Sequence, residues 1–223
     1  MKPLILAVDT THDTGSLALA RGGELLEEVE LTSPSGFAHV IYPEMDALLA
    51  RHGLAVRDID CFAAASGPGS FTGVRVGLSC VKGLAEATGK PVVAVSNLEA
   101  LAYFGSAELR AVVIDARRGE VYAAVYDSAL RPVEPELVTK FERWLETLPD
   151  SGLEFISSDF APLEAQLAGT RFEDIGRVTA PRALATAVAA IAFGRWQRGE
   201  TRAPAAIDAN YVRRSDAELF WKE

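Results

Sequence analysis

Leu4-Ile5-Leu6-Ala7-Val8-Asp9-Thr10-Thr11 begins with five apolar residues in a row and closes on an Asp. A strand exposed on one face alternates apolar with polar side chains, so this unbroken run predicts a central strand covered on both faces. A polar turn through Thr11, His12, Asp13 and Thr14 leads to a second strand over Ser16–Ala20. Gly22-Gly23 then leads to a third over Leu25–Leu31. The pattern returns in the second half of the chain. Ala111-Val112-Val113-Ile114-Asp115 ends on an Asp about 106 residues after Asp9, Arg117-Arg118-Gly119 replaces the first turn, and strands follow over Val121–Tyr126 and Val133–Val138. This echo predicts duplication of a half-domain. Chance is the alternative, because an apolar strand closed by Asp is common.

Between the two copies, Val40, Ile41, Met45, Leu48 and Leu49 fall near helical spacing and predict a helix over 37–52. Strand Cys61–Ala65, helix Thr72–Ala87 and strand Pro91–Val95 form a strand–helix–strand unit with a Gly-rich first turn. After residue 139 we expect a helix over Lys140–Glu146, a strand over Leu153–Ser157 and a helix over Pro162–Leu167. A long Ala-rich helix is expected over Pro181–Arg198, and an extended segment over Ile207–Arg213. The expected architecture is α/β with two similar lobes, 1–104 and 105–223. The boundary is approximate, and the last helix is free to pack back on the first lobe.

The 223 residues are 49% hydrophobic and 24% charged, which excludes a disordered chain, and two cysteines exclude a disulfide-stapled scaffold. Residues 1–100 hold 7 basic and 12 acidic side chains and residues 101–223 hold 15 and 19, so the formal net charge of -9 is spread along the chain. No basic stripe offers the counterion release on which independent nucleic-acid binding relies. The apolar start is too short for a signal peptide and nothing approaches a membrane span. Cys61 and Cys80 read as reduced core residues, and a cytoplasmic protein without membrane contact is expected.

The densest motif is Ser66-Gly67-Pro68-Gly69-Ser70-Phe71-Thr72-Gly73-Val74-Arg75-Val76-Gly77, between a buried strand and a helix. It is not a Walker A loop, since Val74-Arg75 follows Gly73 where Lys-Ser/Thr is needed, nor a nucleophile elbow, since Ser70 directly follows Gly69. A tight turn with Ser70 or Thr72 capping the helix is one reading, and ligand contact at the helix start is the other. The helix carries Gly73, Gly77, Ser79 and Gly83. A helical Gly costs about 1 kcal/mol relative to Ala, so something must come close to its backbone, either within this fold or from another chain. Asp9-Thr10-Thr11 has the residue types to hold a hydrated Mg2+ and a phosphate, or to form an Asx turn. Arg117-Arg118 reads first as a solvated turn and second as a phosphate contact. His12, His39 and His52 lack metal-ligand spacing, and no catalytic triad can be assembled.

The Leu4–Thr11 stretch, the Gly67–Gly77 run, Pro91–Ala102 and Val113-Ile114-Asp115-Ala116-Arg117-Arg118-Gly119-Glu120-Val121-Tyr122 together strongly resemble the TsaB (YeaZ) family, with a weaker match over the tail Tyr211–Glu218. The resemblance implies the two-lobed actin/Hsp70/sugar-kinase-like (ASKHA) fold, with duplicated ribonuclease-H-like lobes. It implies a non-catalytic scaffold and activating subunit in the synthesis of N6-threonylcarbamoyladenosine at tRNA position 37. The implied partners are a TsaD-like catalytic subunit and, through the complex, a TsaE-like ATPase and tRNA; a homodimer through the same surface is a further expectation.

TsaD-like relatives hold a metal with a His-x-x-x-His pair, and the slot four after His39 is Pro43. No catalytic residue, metal or cofactor is therefore expected. The interface is expected on the helices over 37–52 and 72–87, through Val40, Tyr42, Met45, Gly73, Val76, Gly77 and Cys80. A nucleotide, if one is bound, falls to Asp9, Thr10 and Thr11. The alternatives are an ATP-binding enzyme of the sugar-kinase superfamily and a metallopeptidase.

Overall fold

The structure, a computed structural model, describes residues 2–213. The chain divides into two compact units, residues 1–100 with 182–210, and residues 101–181 with 211–223. The first holds strands β1 (Leu4–Asp9), β2 (Thr14–Arg21), β3 (Glu24–Thr32), β4 (Cys61–Ala65) and β5 (Val92–Val95). They form one sheet in the order β3-β2-β1-β4-β5, antiparallel among the first three and parallel from β1 to β5. All six residues of β1 are buried, as its unbroken apolar run predicts.

Helices α1 (Ile41–Arg51) and α2 (Phe71–Thr88) share a core with Leu4, Leu6 and Val8. Successive strand side chains point to opposite faces, so Ile5 and Ala7 face the other side, and both are inaccessible to solvent. Helix α6 (Ala185–Gln197) packs on β1, β2 and β4. Helix α3 (Asn97–Ala102) contains the division between the units.

The second unit repeats the arrangement with β6 (Leu109–Arg117), β7 (Glu120–Asp127), β8 (Leu137–Lys140), β9 (Leu153–Ser157) and β10 (Arg177–Thr179). Their order is β10-β9-β6-β7-β8, again with three antiparallel strands followed by two parallel ones. Read from the opposite edge, this is the topology of the first sheet, which makes the echo a real duplication of ribonuclease-H-like units. Short helices α4 (Phe141–Leu145) and α5 (Glu164–Leu167) complete the unit. Its core holds a cluster of aromatic rings among aliphatic side chains. Phe155 meets Trp144 at 6.0 Å and Phe172 at 5.6 Å between ring centroids, both edge to face, the geometry that the ring quadrupoles favour.

Several elements differ from expectation for identifiable reasons. The third strand of the second unit begins at Leu137 and not at Val133. Pro132 and Pro135 cannot donate to a ladder, Pro132 forms only an isolated bridge with Tyr126, and Val133 is 55% exposed. The first predicted helix opens as a tight 3-10 turn over Phe37–His39, and its α-helical part is Ile41–Arg51. The last helix begins at Ala185 and not at Pro181, because three side chains distant in sequence fix its first turn, as described below. Ile207–Asn210 forms no strand; Lys82 Nζ donates to the Ile207 carbonyl at 2.9 Å and Asn210 N–H to the Ser66 carbonyl at 2.8 Å. In the tail match, Arg214–Glu218 lie outside the described residues.

Candidate functional site

Asp9 ends β1 with no solvent exposure, and Thr10 and Thr11 are each 1% exposed. Asp9 Oδ1 accepts from the Thr11 N–H at 2.9 Å and from Thr11 Oγ1 at 2.6 Å. Asp9 Oδ2 accepts from the Leu184 N–H at 3.2 Å. The next two backbone donors of the chain, Ala185 N–H and Thr186 N–H, go to Ser16 Oγ at 3.0 Å and Glu28 Oε1 at 3.1 Å. The first turn of a helix has N–H groups with no partner inside the helix and a partial positive charge, so a carboxylate and two further acceptors there stabilise α6 on the sheet. The three residues expected to hold a nucleotide thus form an Asx-type turn that caps a helix.

The turn before α2 shows which of the two candidate residues caps the helix. Ser70 is the N-cap, its Oγ accepting from the Gly73 N–H at 3.2 Å. The small residues that follow receive this chain's own backbone. A Cβ added at Gly73 would lie 1.9 Å from the Thr10 carbonyl oxygen, and one at Gly77 would lie 2.7 Å from Thr10 Oγ1. In return, Thr10 Oγ1 donates to the Gly73 carbonyl at 2.7 Å. At Gly83 no atom of the described residues lies within 4 Å of an added Cβ, so no close approach among them accounts for that glycine.

The residues expected at an interface therefore separate. Gly73 and Gly77 lie inside the unit against Thr10, and Met45, 1% exposed, is core. Tyr42 stands 48% exposed, and Val40 and Val76 are half-buried. Between α1 and α2 lies an open groove of about 420 Å3, walled by Tyr42, Phe71, Arg75, Val76 and Ser79, with Ile41 and Cys80 beneath. Phe71 is 47% exposed, and the Arg75 guanidinium lies 3.5 Å from its ring centroid, so the rim combines aromatic surface with a positive charge.

The Tyr42 hydroxyl is held above the ordinary phenol range, first by the Cys80 thiolate that forms over the same high pH range and then by burial. Burial pushes the Cys80 thiol up to about 11. Burial, then the Asp60 charge, pushes Cys61 up to about 12. Both sulfurs are protonated at neutral pH and lack the thiolate that nucleophilic chemistry needs. A second depression of about 520 Å3 adjoins the groove, sharing Thr72 and Val76, and is lined by Thr10, His12, Ser33, Phe37 and Ser70. Phe71 and Ser79 line the groove without having been expected there; the available signal for Phe71 is an aromatic directly after an N-cap Ser and two residues before Gly73.

Among the described residues, no group of three or more His, Cys, Asp or Glu side chains could hold a metal ion. His39 Nε2 lies 3.4 Å from both Ser33 Oγ and Ser35 Oγ, while His52 pairs with Glu27 at 2.8 Å. No helix among them is long and apolar enough to cross a membrane.

Residues 33–193 match the family model described as TsaD, tRNA N6-adenosine threonylcarbamoyltransferase. The tRNA threonylcarbamoyladenosine biosynthesis protein TsaB of Haemophilus influenzae is 35% identical over 150 residues, 66% of this chain and 62% of that protein. Its namesake from Bacillus subtilis is 35% identical over 151 residues, 66% of each. The match thus spans just under two thirds of the length of these curated relatives. Among solved structures, a Pseudomonas aeruginosa protein described as similar to peptidase YEAZ superposes with a TM-score of 0.81 at 28% identity, over 95% of this chain and all of that one. YeaZ from Pseudomonas aeruginosa superposes with a TM-score of 0.77 at 30% identity, over 94% of this chain and 99% of that one. With one relative matched over nearly its whole length and a buried Asp-Thr-Thr turn and glycine-bearing helix on a duplicated sheet, the chain belongs to the TsaB (YeaZ) family.

Proposed function

We propose that this chain is a non-catalytic subunit in the synthesis of N6-threonylcarbamoyladenosine at tRNA position 37, and that it supports a TsaD-like catalytic subunit by binding it through the α1–α2 face. The observation that carries this reading is the groove between those helices. Tyr42 and Phe71 are both about half exposed there, beside Val76 and Ser79. Exposed aromatics around a shallow apolar depression are what buried interface anchors look like before a partner covers them. Gly83, exposed on α2 with no atom of the described residues within 4 Å of an added Cβ, fits the close approach of a partner helix.

The fate of Asp9 favours a subunit over an ATP-binding enzyme. Asp9 already accepts three hydrogen bonds and has no exposed surface, so a hydrated Mg2+ would have to displace the donors that cap α6 to reach it. A TsaE-like ATPase and tRNA join through the complex, self-pairing uses the same helical face, and the site of action is the cytoplasm.

The test is co-elution of the purified chain with a TsaD-like subunit on a sizing column, comparing wild type with Ser79→Arg. Ser79 is the residue to change because it is exposed on the groove wall, whereas a side chain at Gly77 would strike Thr10 and disturb the unit itself. A 1:1 complex with wild type that Ser79→Arg abolishes, at unchanged melting temperature of the free chain, supports the reading. A complex indifferent to the substitution refutes the assignment of the face.

A further inference from the structure

Asn97 opens α3 with no solvent exposure, and its side chain bonds two turns at once. Its Oδ1 accepts from the Gly67 N–H at 2.9 Å, while its Nδ2 donates to Thr11 Oγ1. The Asn97 N–H in turn donates to the Gly67 carbonyl at 2.9 Å. Thr11 belongs to the turn after β1, and Gly67 to the turn that leads into α2. The two turns also meet directly. The Ser70 N–H donates to the Thr11 carbonyl at 2.8 Å, and a Cβ added at Gly69 would lie 2.7 Å from that same oxygen.

A buried amide costs free energy unless its hydrogen bonds are made, so an apolar side chain would fill this position more cheaply if filling were all that was required. What the amide adds is direction, because a donor and an acceptor in fixed positions set the register of the segments they join. The segment that needs this is 66–70. Gly67 and Gly69 have no side chain to pack, Gly69 and Ser70 are exposed, and hydrogen bonds therefore carry much of the segment's placement. The body of α2 is held separately, by Val74, Leu78, Val81 and Ala85 in the core. At its start, Phe71, 47% exposed, and Thr72 stand outside that core. Phe71 directly follows Ser70, so the placement of the turn decides where the ring projects.

We infer that Asn97 is a positioning residue for the partner face: out of reach of any partner itself, it holds the turn before α2 against the turn after β1 and so fixes the place of Phe71 on the wall of the groove. This rests on the functional reading above and adds to it a residue that sets affinity without touching the partner. Loss of the amide leaves the Gly67 N–H without its acceptor and lets the start of α2 shift, while the core-facing body of the helix stays in place.

The test is a double-mutant cycle on binding, with the full chain titrated calorimetrically against a TsaD-like subunit well below the melting temperature of every variant. Asn97→Ala and Phe71→Ala are made singly and together. We expect Asn97→Ala to bind roughly tenfold more weakly in the wild-type background, and to change affinity by less than about twofold in the Phe71→Ala background. A residue that acts through the ring has nothing to act on once the ring is gone. A merely structural Asn97 lowers the melting temperature and either leaves the affinity of the folded chain unchanged or weakens it equally in both backgrounds. Either of those results overturns this inference alone. A second reading needs no variant and stands even where Asn97→Ala does not fold: hydrogen–deuterium exchange at the Gly67 amide of the wild-type chain. A partner seated on Phe71 holds the start of α2 closed, so exchange at Gly67 should slow when the subunit binds. Unchanged exchange there, in a complex that forms, also overturns the inference. Absence of any complex with wild type overturns the functional reading together with the inference built on it.

Discussion

Two glycines of one helix should respond oppositely to the same substitution. In Gly73→Ala the new Cβ would sit 1.9 Å from the Thr10 carbonyl oxygen, against ordinary contact at 3.4 Å or more, and the obstacle is backbone. Helix α2 must then move off the end of β1. That overpacking costs about 1–3 kcal/mol. The movement also loosens the buried bond from Thr10 Oγ1 to the Gly73 carbonyl, and leaving those groups without partners costs a further 1–3 kcal/mol or so. Against this stands a gain of about 1 kcal/mol in helix propensity. The net loss is about 3 kcal/mol, and the melting temperature falls by roughly 6–12 °C.

Gly83→Ala meets nothing within 4 Å among the described residues, so only the propensity gain remains. Its melting temperature should rise by about 2–4 °C. Differential scanning calorimetry of the two variants beside wild type decides the matter. A Gly73→Ala protein as stable as wild type would mean that α2 does not rest on the Asp9–Thr11 turn, and the account of why this helix carries glycines would be wrong.

Asp9→Asn should destabilise by about 2–4 kcal/mol in urea titration, because the groups facing Asp9 are all donors and an amide nitrogen must oppose one of them. Stability unchanged in that variant would contradict the capping role. With their pKa values raised to about 12 and about 11, Cys61 and Cys80 should resist an aromatic disulfide reagent at about pH 8 in the native chain and react fully in denaturant; rapid stoichiometric labelling of the native form would refute this. The hydrogen bond from Arg51, then that from His52, holds Glu27 below the ordinary glutamate value of 4.5. Its contribution is complete above that value and is lost as the pH falls through the lower folded-state pKa, so Glu27→Gln should lose less stability than wild type on acidification below about pH 5. Identical acid limbs would contradict it.

The parts of the fold legible in the sequence are those whose signal is local. The unbroken apolar run of β1 announced a doubly covered strand, and its repetition up to Asp115 announced the duplication, because a strand buried on both faces needs no partner to be recognised. The cap of α2 was legible as Ser70 or Thr72, and the structure makes it Ser70, whose hydroxyl stands three residues before its donor. What escaped was set by distant partners. The start of α6 is fixed by Asp9, Ser16 and Glu28, about 160–175 residues away, and no local rule connects them to Leu184, Ala185 and Thr186. For the same reason Asp9 resembled a cation ligand; its neighbours in sequence are compatible with that role, and only the fold brings in the N–H of Leu184. The glycines of α2 correctly signalled a close approach. Which body approaches was not legible, and for Gly73 and Gly77 it is the chain's own turn. The proposed partner face rests instead on the outward side chains Tyr42, Phe71, Val76 and Ser79.

The central claim, that this outward face of α1 and α2 receives a TsaD-like subunit, is tested most directly by hydrogen–deuterium exchange of the chain alone and in the presence of that subunit. The account predicts new protection concentrated in residues 37–51 and 71–88. Protection confined to other segments, with these two helices exchanging as in the free chain, would contradict it.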